Sequence, residues 1–277
     1  MKEAPCGALL FWPIENRADD GVRSPDLPSL MRGLALVLLC AVGACAHVST
    51  RDPLVLRAPA GAVWSPHCVP AWQPHALPGK RGTRYDLGSD AGSAVIRARA
   101  DASASMLRYT VRLEPDALQM LRFSWRVSAL IDRADVRRRE TEDSPARIVL
   151  AFDGDHDTLP LKDRSLFELA ELVTGERPPY ATLMYVWDNG APLESVVINP
   201  RSDRIRKIVV ESGPEHLRQW REHERDIAGD YRRAFGEAPG ALIGIGLMTD
   251  ADNTGTSVTA WYGAVCLSGV QLSSAPN

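Results

Sequence analysis

From Thr83 onward the chain alternates apolar and polar positions with a period of two. TRYDL (83–87), SAVIRARA (93–100) and SMLRYTVRLEP (105–115) all follow this rule, which is the spacing of half-buried strands. Val95, Arg97 and Arg99 fall on one face of the second segment, and Ile96 and Ala98 on the other. LRFSWRV (121–127) sets Leu121, Phe123, Trp125 and Val127 on one side. ARIVLAF (146–152) is an almost unbroken apolar run and predicts a central strand covered on both faces. ATLMYVW (181–187), ESVVIN (194–199) and RIRKIVVES (204–212) predict three more strands, and Asp188-Asn189-Gly190 between the first two is a favourable hairpin turn.

Two stretches break the period. Leu166, Phe167, Leu169, Ala170 and Val173 recur at helical spacing within 163–173, with Gly175 placed to end a helix. Leu217, Trp220, Glu224, Ile227 and Tyr231 recur at three- and four-residue intervals and predict one long charged helix over 214–235. The chain then enters an apolar run, an acidic loop TDADNTG (249–255) and a returning strand SVTAWYGAV (257–265). Many strands, few helices and no βαβ rhythm predict a mainly β protein. The expected architecture is an antiparallel β-sandwich, jelly-roll or galactose-binding-like, with one or two packed helices and its domain over 81–272.

The 277 residues are 45% apolar and 24% charged, which leaves ample material for a core. A formal charge of −3 and the absence of a long Lys/Arg block argue against a nucleic-acid partner. The arginines of 133–139 are answered by Asp132, Asp135 and Glu140. Met31 to Ser49 reads as a secretion signal, with an apolar run too short for a comfortable membrane span. Val42-Gly43-Ala44-Cys45 is similar to a bacterial lipobox, in which the cysteine thiol is acylated. This divides the N-terminal part into an extension (1–30), a lipoprotein signal (31–45) and a tether (46–80). It predicts a membrane partner through a lipid anchor at Cys45 and a place in the bacterial cell envelope, facing the periplasm, with secretion as the alternative. Cys68 and Cys266 then remain as either a disulfide or two buried thiols.

The order SASMLRYTVRLEP, LRFSWRV, DSPARIVLAFDG, LMYVWDN, INPRSDRIRKIVVESG, WREHERDIAGDYRRAFGEAP and IGLMTDADNTGTSVTAWYG resembles a bacterial envelope family known as DUF3047. The resemblance covers most of 80–265. It implies secretion and a sandwich-like fold, and it assigns no catalytic residue.

In the acidic loop, Asp250, Asp252 and Thr254 stand at alternate positions with Gly255 after them. Oxygens at positions one, three and five with glycine at six suit a hard cation such as Ca²⁺. Trp261 stands where a bidentate glutamate would complete that pattern. Asp153 and Asp155 of FDGDHD (152–157) would supply further oxygens if the two loops are neighbours. A turn satisfied by its own Asx side chains is the plainer alternative. Tyr185, Trp187 and Trp261 are candidate sugar-stacking residues if exposed, and core filling if not. No G-x-S-x-G, phosphate-binding glycine loop or H-E-x-x-H is present. The leading expectation is a non-catalytic module for a glycan or another small ligand. Its rivals are a glycan hydrolase using both acidic loops and an assembly protein that docks a protein partner.

Overall fold

The computed structural model describes residues 71–267, which form two stacked sheets. The strands are β1 (Gln73–Ala76), β2 (Arg84–Asp90), β3 (Ser93–Asp101), β4 (Ala104–Leu113), β5 (Met120–Val127), β6 (Ser144–Phe152), β7 (Ala181–Asp188), β8 (Val196–Asn199), β9 (Ser202–Ser212), β10 (Arg221–Asp226), β11 (Leu242–Asp250) and β12 (Ser257–Leu267). Helix α1 (Leu161–Thr174) lies between β6 and β7, and α2 (Ile227–Phe235) between β10 and β11. One sheet has seven strands in the order β1-β4-β11-β6-β7-β9-β8, and the other five in the order β10-β5-β12-β3-β2. Pairing is antiparallel except between β7 and β9, which run parallel. The expected mainly β sandwich with two helices is the fold.

The strand positions follow from burial. β6 is buried from Ser144 to Leu150 and sits between β11 and β7, as a run apolar on both faces requires. β5 buries Leu121, Phe123, Trp125 and Val127 and turns Arg122 to solvent. Across the inter-sheet core Phe123 stacks on Tyr185 with ring centroids 5.7 Å apart, and Trp125 meets Trp187 at 6.5 Å. Each large side chain removed from water there contributes about 2–3 kcal/mol. Helix α1 covers the outer face of the seven-stranded sheet, where Phe167 and Ala170 join Met184, Val186, Val197 and Val209 in a second cluster. Gly175 ends this helix with φ 75°, a left-handed value that glycine takes without strain. Among the described residues no helix covers the outer face of the five-stranded sheet.

The stretch 214–235 departs from expectation: only 227–235 is helical, and 221–226 forms the edge strand β10, paired with β5. Glu224 sat at an apolar position of the supposed helical stripe, so that stripe was weak. The alternative period of two sets His223 against Phe123 at 5.0 Å and Trp125 at 5.3 Å while Glu222 and Glu224 meet water. Asp226 then caps α2 by accepting from the Gly229 N–H at 3.0 Å. Asp188-Asn189-Gly190 does not make a hairpin either, because β7 pairs in parallel with β9 and the hairpin joins β8 to β9. Buried Asp188 instead accepts the N–H groups of Val136, Gly190 and Ala191 and fixes the crossover loop. The supposed tether is already strand by Gln73, with Trp72 and Leu77 buried.

Cys266 is disulfide-bonded, and the chain's other four cysteines lie outside the described residues. The secretion signal and the lipobox with Cys45 also lie outside them. Among the described residues no helix is long and apolar enough to cross a membrane.

Candidate functional site

The acidic loop hangs between β11 and β12, at the end of the sheet where β6 begins. β6 and β11 are antiparallel, with Ser144 opposite Asp250 and Phe152 opposite Leu242. Asp143 therefore joins the loop, and Asp143, Asp250 and Asp252 each place a carboxylate oxygen within 4.8 Å of the others. Three such oxygens could hold a metal ion. Thr254 does not point an oxygen into a shared void. Its hydroxyl and backbone N–H both donate to Asp143 at 2.7 Å, which is how a well-satisfied turn is closed.

The loop is also bound into a network of buried ion pairs. Arg147, inside β6, holds Asp250 through two nitrogens at 2.9 and 2.8 Å, and Lys80 pairs with Asp252. Beside them Lys207 of β9 donates to Glu142 at 2.9 Å, and Asn199 and Arg201 reach the same carboxylate at 3.0 and 3.4 Å. Side-chain exposure is 3% at Arg147, 1% at Asp250, 2% at Glu142 and 0% at Lys207, so water does not screen these charges. Burial is the main influence on Asp250 and pushes its carboxyl up to about 7; Arg147 pulls it down, while Asp143 and Asp252 push it further up. Asp252 is raised by burial as well, against the pull of Lys80. One oxygen of Asp252, Oδ1, has no hydrogen-bond partner among the described residues.

Asp153 and Asp155 are at the other end of β6. Phe152 is eight residue steps along the strand from Ser144, or about 26 Å at the usual strand rise. Asp153 pairs with Arg112 at 2.8 Å and Asp155 accepts the Asp157 N–H at 3.0 Å. The two acidic loops thus share no site, and the set Asp250, Asp252, Thr254, Asp153 and Asp155 resolves into two unrelated groups. The carboxylate missing from that set is Asp143. The sequence does carry a signal for the ion pairs around it: Arg147 in ARIVLAF and Lys207 in RIRKIVVES are charges inside apolar strands, and such charges require buried partners, here Asp250 and Glu142.

The three candidate aromatic residues also separate. Tyr185 and Trp187 are 0% exposed and belong to the inter-sheet core. The Tyr185 hydroxyl donates to Asp230 at 2.9 Å, and Trp187 Nε1 to the Gly213 carbonyl at 3.2 Å. Trp261 alone lies on a surface, the outer face of the five-stranded sheet, partly exposed. The Arg126 guanidinium sits 4.5 Å from its ring centroid and 5.3 Å from that of Trp220. Asp90 clamps this stack, accepting from Trp220 Nε1 at 2.5 Å and pairing with Arg126 at 3.2 Å. Gly263 leaves room for the Ser124 side chain beside this stack, since a Cβ there would stand 2.2 Å from Ser124 Oγ. The helical spacing over 214–235 conceals Trp220, which lies directly before β10 and not on a helix.

The chain belongs to a family described as a protein of unknown function (DUF3047), whose model matches residues 70–266. No curated protein matches it. Among solved structures it is similar to the glycoside hydrolase domain of Endo-D from Streptococcus pneumoniae R6, with 11% identity and a TM-score of 0.32 over 73% of this chain and only 22% of that one. It is also similar to the xyloglucanase domain of NopAA, a type three effector from Sinorhizobium fredii, in complex with cellobiose. There identity is 9% and the TM-score 0.40, over 76% of this chain and 98% of that one. Endoglucanase 3 of family GH12 from Trichoderma harzianum gives 8% identity and a TM-score of 0.38, over 72% and 89%.

Proposed function

We propose that this chain is a lipid-anchored protein of the bacterial cell envelope whose sandwich is a non-catalytic binding module for a glycan. The observation that carries the reading is the Trp261–Arg126–Trp220 stack on a sheet face that no helix covers among the described residues. Two flat indoles and the Arg126 guanidinium, with Asp90 holding Trp220 and Arg126 in place, offer an apolar plane for a sugar ring and donors for its hydroxyls. Cys266 being disulfide-bonded supports an oxidising compartment such as the envelope. A hydrolase built on both acidic loops does not survive their separation. Paired glycosidase carboxylates stand about 5–10 Å apart, and these loops are at opposite ends of β6.

The test is retention of the purified mature protein on immobilised polysaccharides. Trp261→Ala and Trp220→Ala are expected to weaken retention at least tenfold with the melting temperature held. Absence of retention across neutral and charged polysaccharides would overturn the reading and favour an assembly role with a protein partner.

A structural Ca²⁺ belongs to the same proposal as a second element. Asp143, Asp250 and Asp252 would hold it, and the unpartnered Oδ1 of Asp252 supports it. Lys80 on Asp252 Oδ2 and Arg147 on both oxygens of Asp250 compete with such an ion for these carboxylates. A melting temperature unchanged by EDTA, with no metal found by elemental analysis, removes the ion and leaves the cluster as a clasp of ion pairs.

A further inference from the structure

The outer face around Trp261 is ordered by strand register. Arg126 of β5, Trp261 of β12, Arg97 of β3 and Asp86 of β2 are direct cross-strand partners and form one row across the sheet. Neighbours in such a row are about 4.8 Å apart, close to the width of a sugar ring. Thr259, Arg99 and Arg84 form the parallel row beside it.

The charges on these rows do not balance. Arg126 has Asp90 and two indoles. Arg99 and Arg84 take the Asp86 carboxylate at 2.5 and 3.1 Å. Arg97 reaches that same carboxylate only at 3.5 Å, through one Nη, and its Nε is buried without a hydrogen-bond partner. Its side chain is 42% exposed. Three guanidiniums thus surround one carboxylate, a local surplus of two positive charges, and the least satisfied of them stands next to the Trp261 indole. A planar fork of donors beside an indole suits a sugar that carries an anionic group, because the fork takes two anion oxygens at once.

We infer that the glycan taken by this face is anionic, its ring against Trp261 and its carboxylate, sulfate or phosphate on Arg97. The inference rests on the glycan-binding reading above and adds the class of glycan. Arg97 supplies the charge selectivity, and Trp261 supplies the contact common to charged and neutral sugars. Arg84 and Arg99 are committed to Asp86 and contribute a field rather than a contact.

Two matched pairs of polymers test this by affinity electrophoresis of the mature protein: polygalacturonate against its methyl ester, and dextran sulfate against dextran. The expected result is at least tenfold tighter retention by the charged member of one pair. Arg97→Gln should abolish that preference by lowering charged-polymer retention to that of the neutral member, and Trp261→Ala should weaken retention by both members. The pair that shows the preference identifies the anion as carboxylate or sulfate-like. Equal retention by charged and neutral members, unchanged in Arg97→Gln, overturns the anionic assignment and leaves the glycan reading standing. Retention by both polyanions that Trp261→Ala does not alter overturns it as well, since the face is then a plain electrostatic surface. No retention by any of the four polymers overturns the inference together with the reading on which it rests.

Discussion

Ser144 opens β6 directly opposite Asp250, the last residue of β11, and its backbone N–H donates to that carboxylate at 3.1 Å. This pairing brings Asp143 to the acidic loop and leaves Asp153 at the far end of the same strand. It also brings Arg147, three residues further along β6, under the loop, where it holds Asp250.

Arg147 therefore carries a large share of the stability of this end of the sandwich. Arg147→Met keeps the bulk of the stem and leaves Asp250 buried beside Asp143 and Asp252 with its main cation gone. The expected loss is about 3–5 kcal/mol, the usual range for removing one partner of a buried pair, read as a lowered urea midpoint. Adding Asp250→Leu to that variant should restore more than half of the loss, since no uncompensated charge then remains. Additive losses in the double variant would show that the pair is not coupled.

The same site sets a pH dependence with a definite sign. The Asp250 carboxyl stands at about 7 in the folded chain, against an unfolded value near 3.9. Between those values the folded protein holds a proton that the unfolded chain has released. Its contribution to stability is full below about pH 4 and is lost as pH rises through about 7. Asp250→Asn has no such proton, so the wild type should lose urea resistance relative to that variant from pH 5 to pH 8. Parallel curves for the two proteins would be the contrary result.

Much of this fold was legible in the period-two pattern, because half-buried strands leave that mark wherever one face meets water. Burial on both faces announced β6 equally well. β10 was hidden because REHERD carries polar groups on both faces, and its inward His223 is buried by rings from another strand. The acidic loop was legible as a feature, but its partner was not. Choosing between Asp143 and Asp153 requires knowing that β6 runs beside β11 and in which direction. Strand order is a long-range property, and side-chain alternation carries no record of it. Trp261 shows the same limit: alternation put it opposite Tyr262, and only the sheet packing decided which of the two faces water.

Tyr262 is the inward member of that pair and ties the sheets together. Its hydroxyl donates to the Met248 carbonyl at 2.6 Å, lies 2.8 Å from Thr249 Oγ1 and accepts the Arg147 N–H at 3.3 Å. Burial raises its pKa, so it stays neutral and keeps its donor. Tyr262→Phe keeps the ring and leaves the Met248 carbonyl and the Arg147 N–H short of a partner. A loss of about 1–3 kcal/mol is expected, measured by chemical denaturation. Glycan retention should be unchanged, because Tyr262 and Trp261 point to opposite faces. A weakened retention with intact stability would contradict that separation.

His223 gives the second pH dependence, opposite in sign to that of Asp250. Burial against Phe123 and Trp125 is the main cause that lowers its pKa to about 4; nearby Glu211 acts to raise it, and Arg221 and Arg225 lower it further. The unfolded value is near 6.5, so below that pH the unfolded chain takes up a proton that the folded chain refuses. The stability from a neutral His223 is full above about pH 6.5 and is lost as pH falls toward 4. Across that interval the rising contribution of Asp250 offsets the falling one of His223, so the wild type alone should show a shallow profile. His223→Phe keeps an aromatic ring in the stack and has no proton to gain. Its urea midpoint should rise relative to wild type as pH drops from 6.5 to 4.5, whereas Asp250→Asn should show the reverse over the same interval. Equal slopes in wild type and His223→Phe would mean that the imidazole is not held neutral by its burial between the sheets.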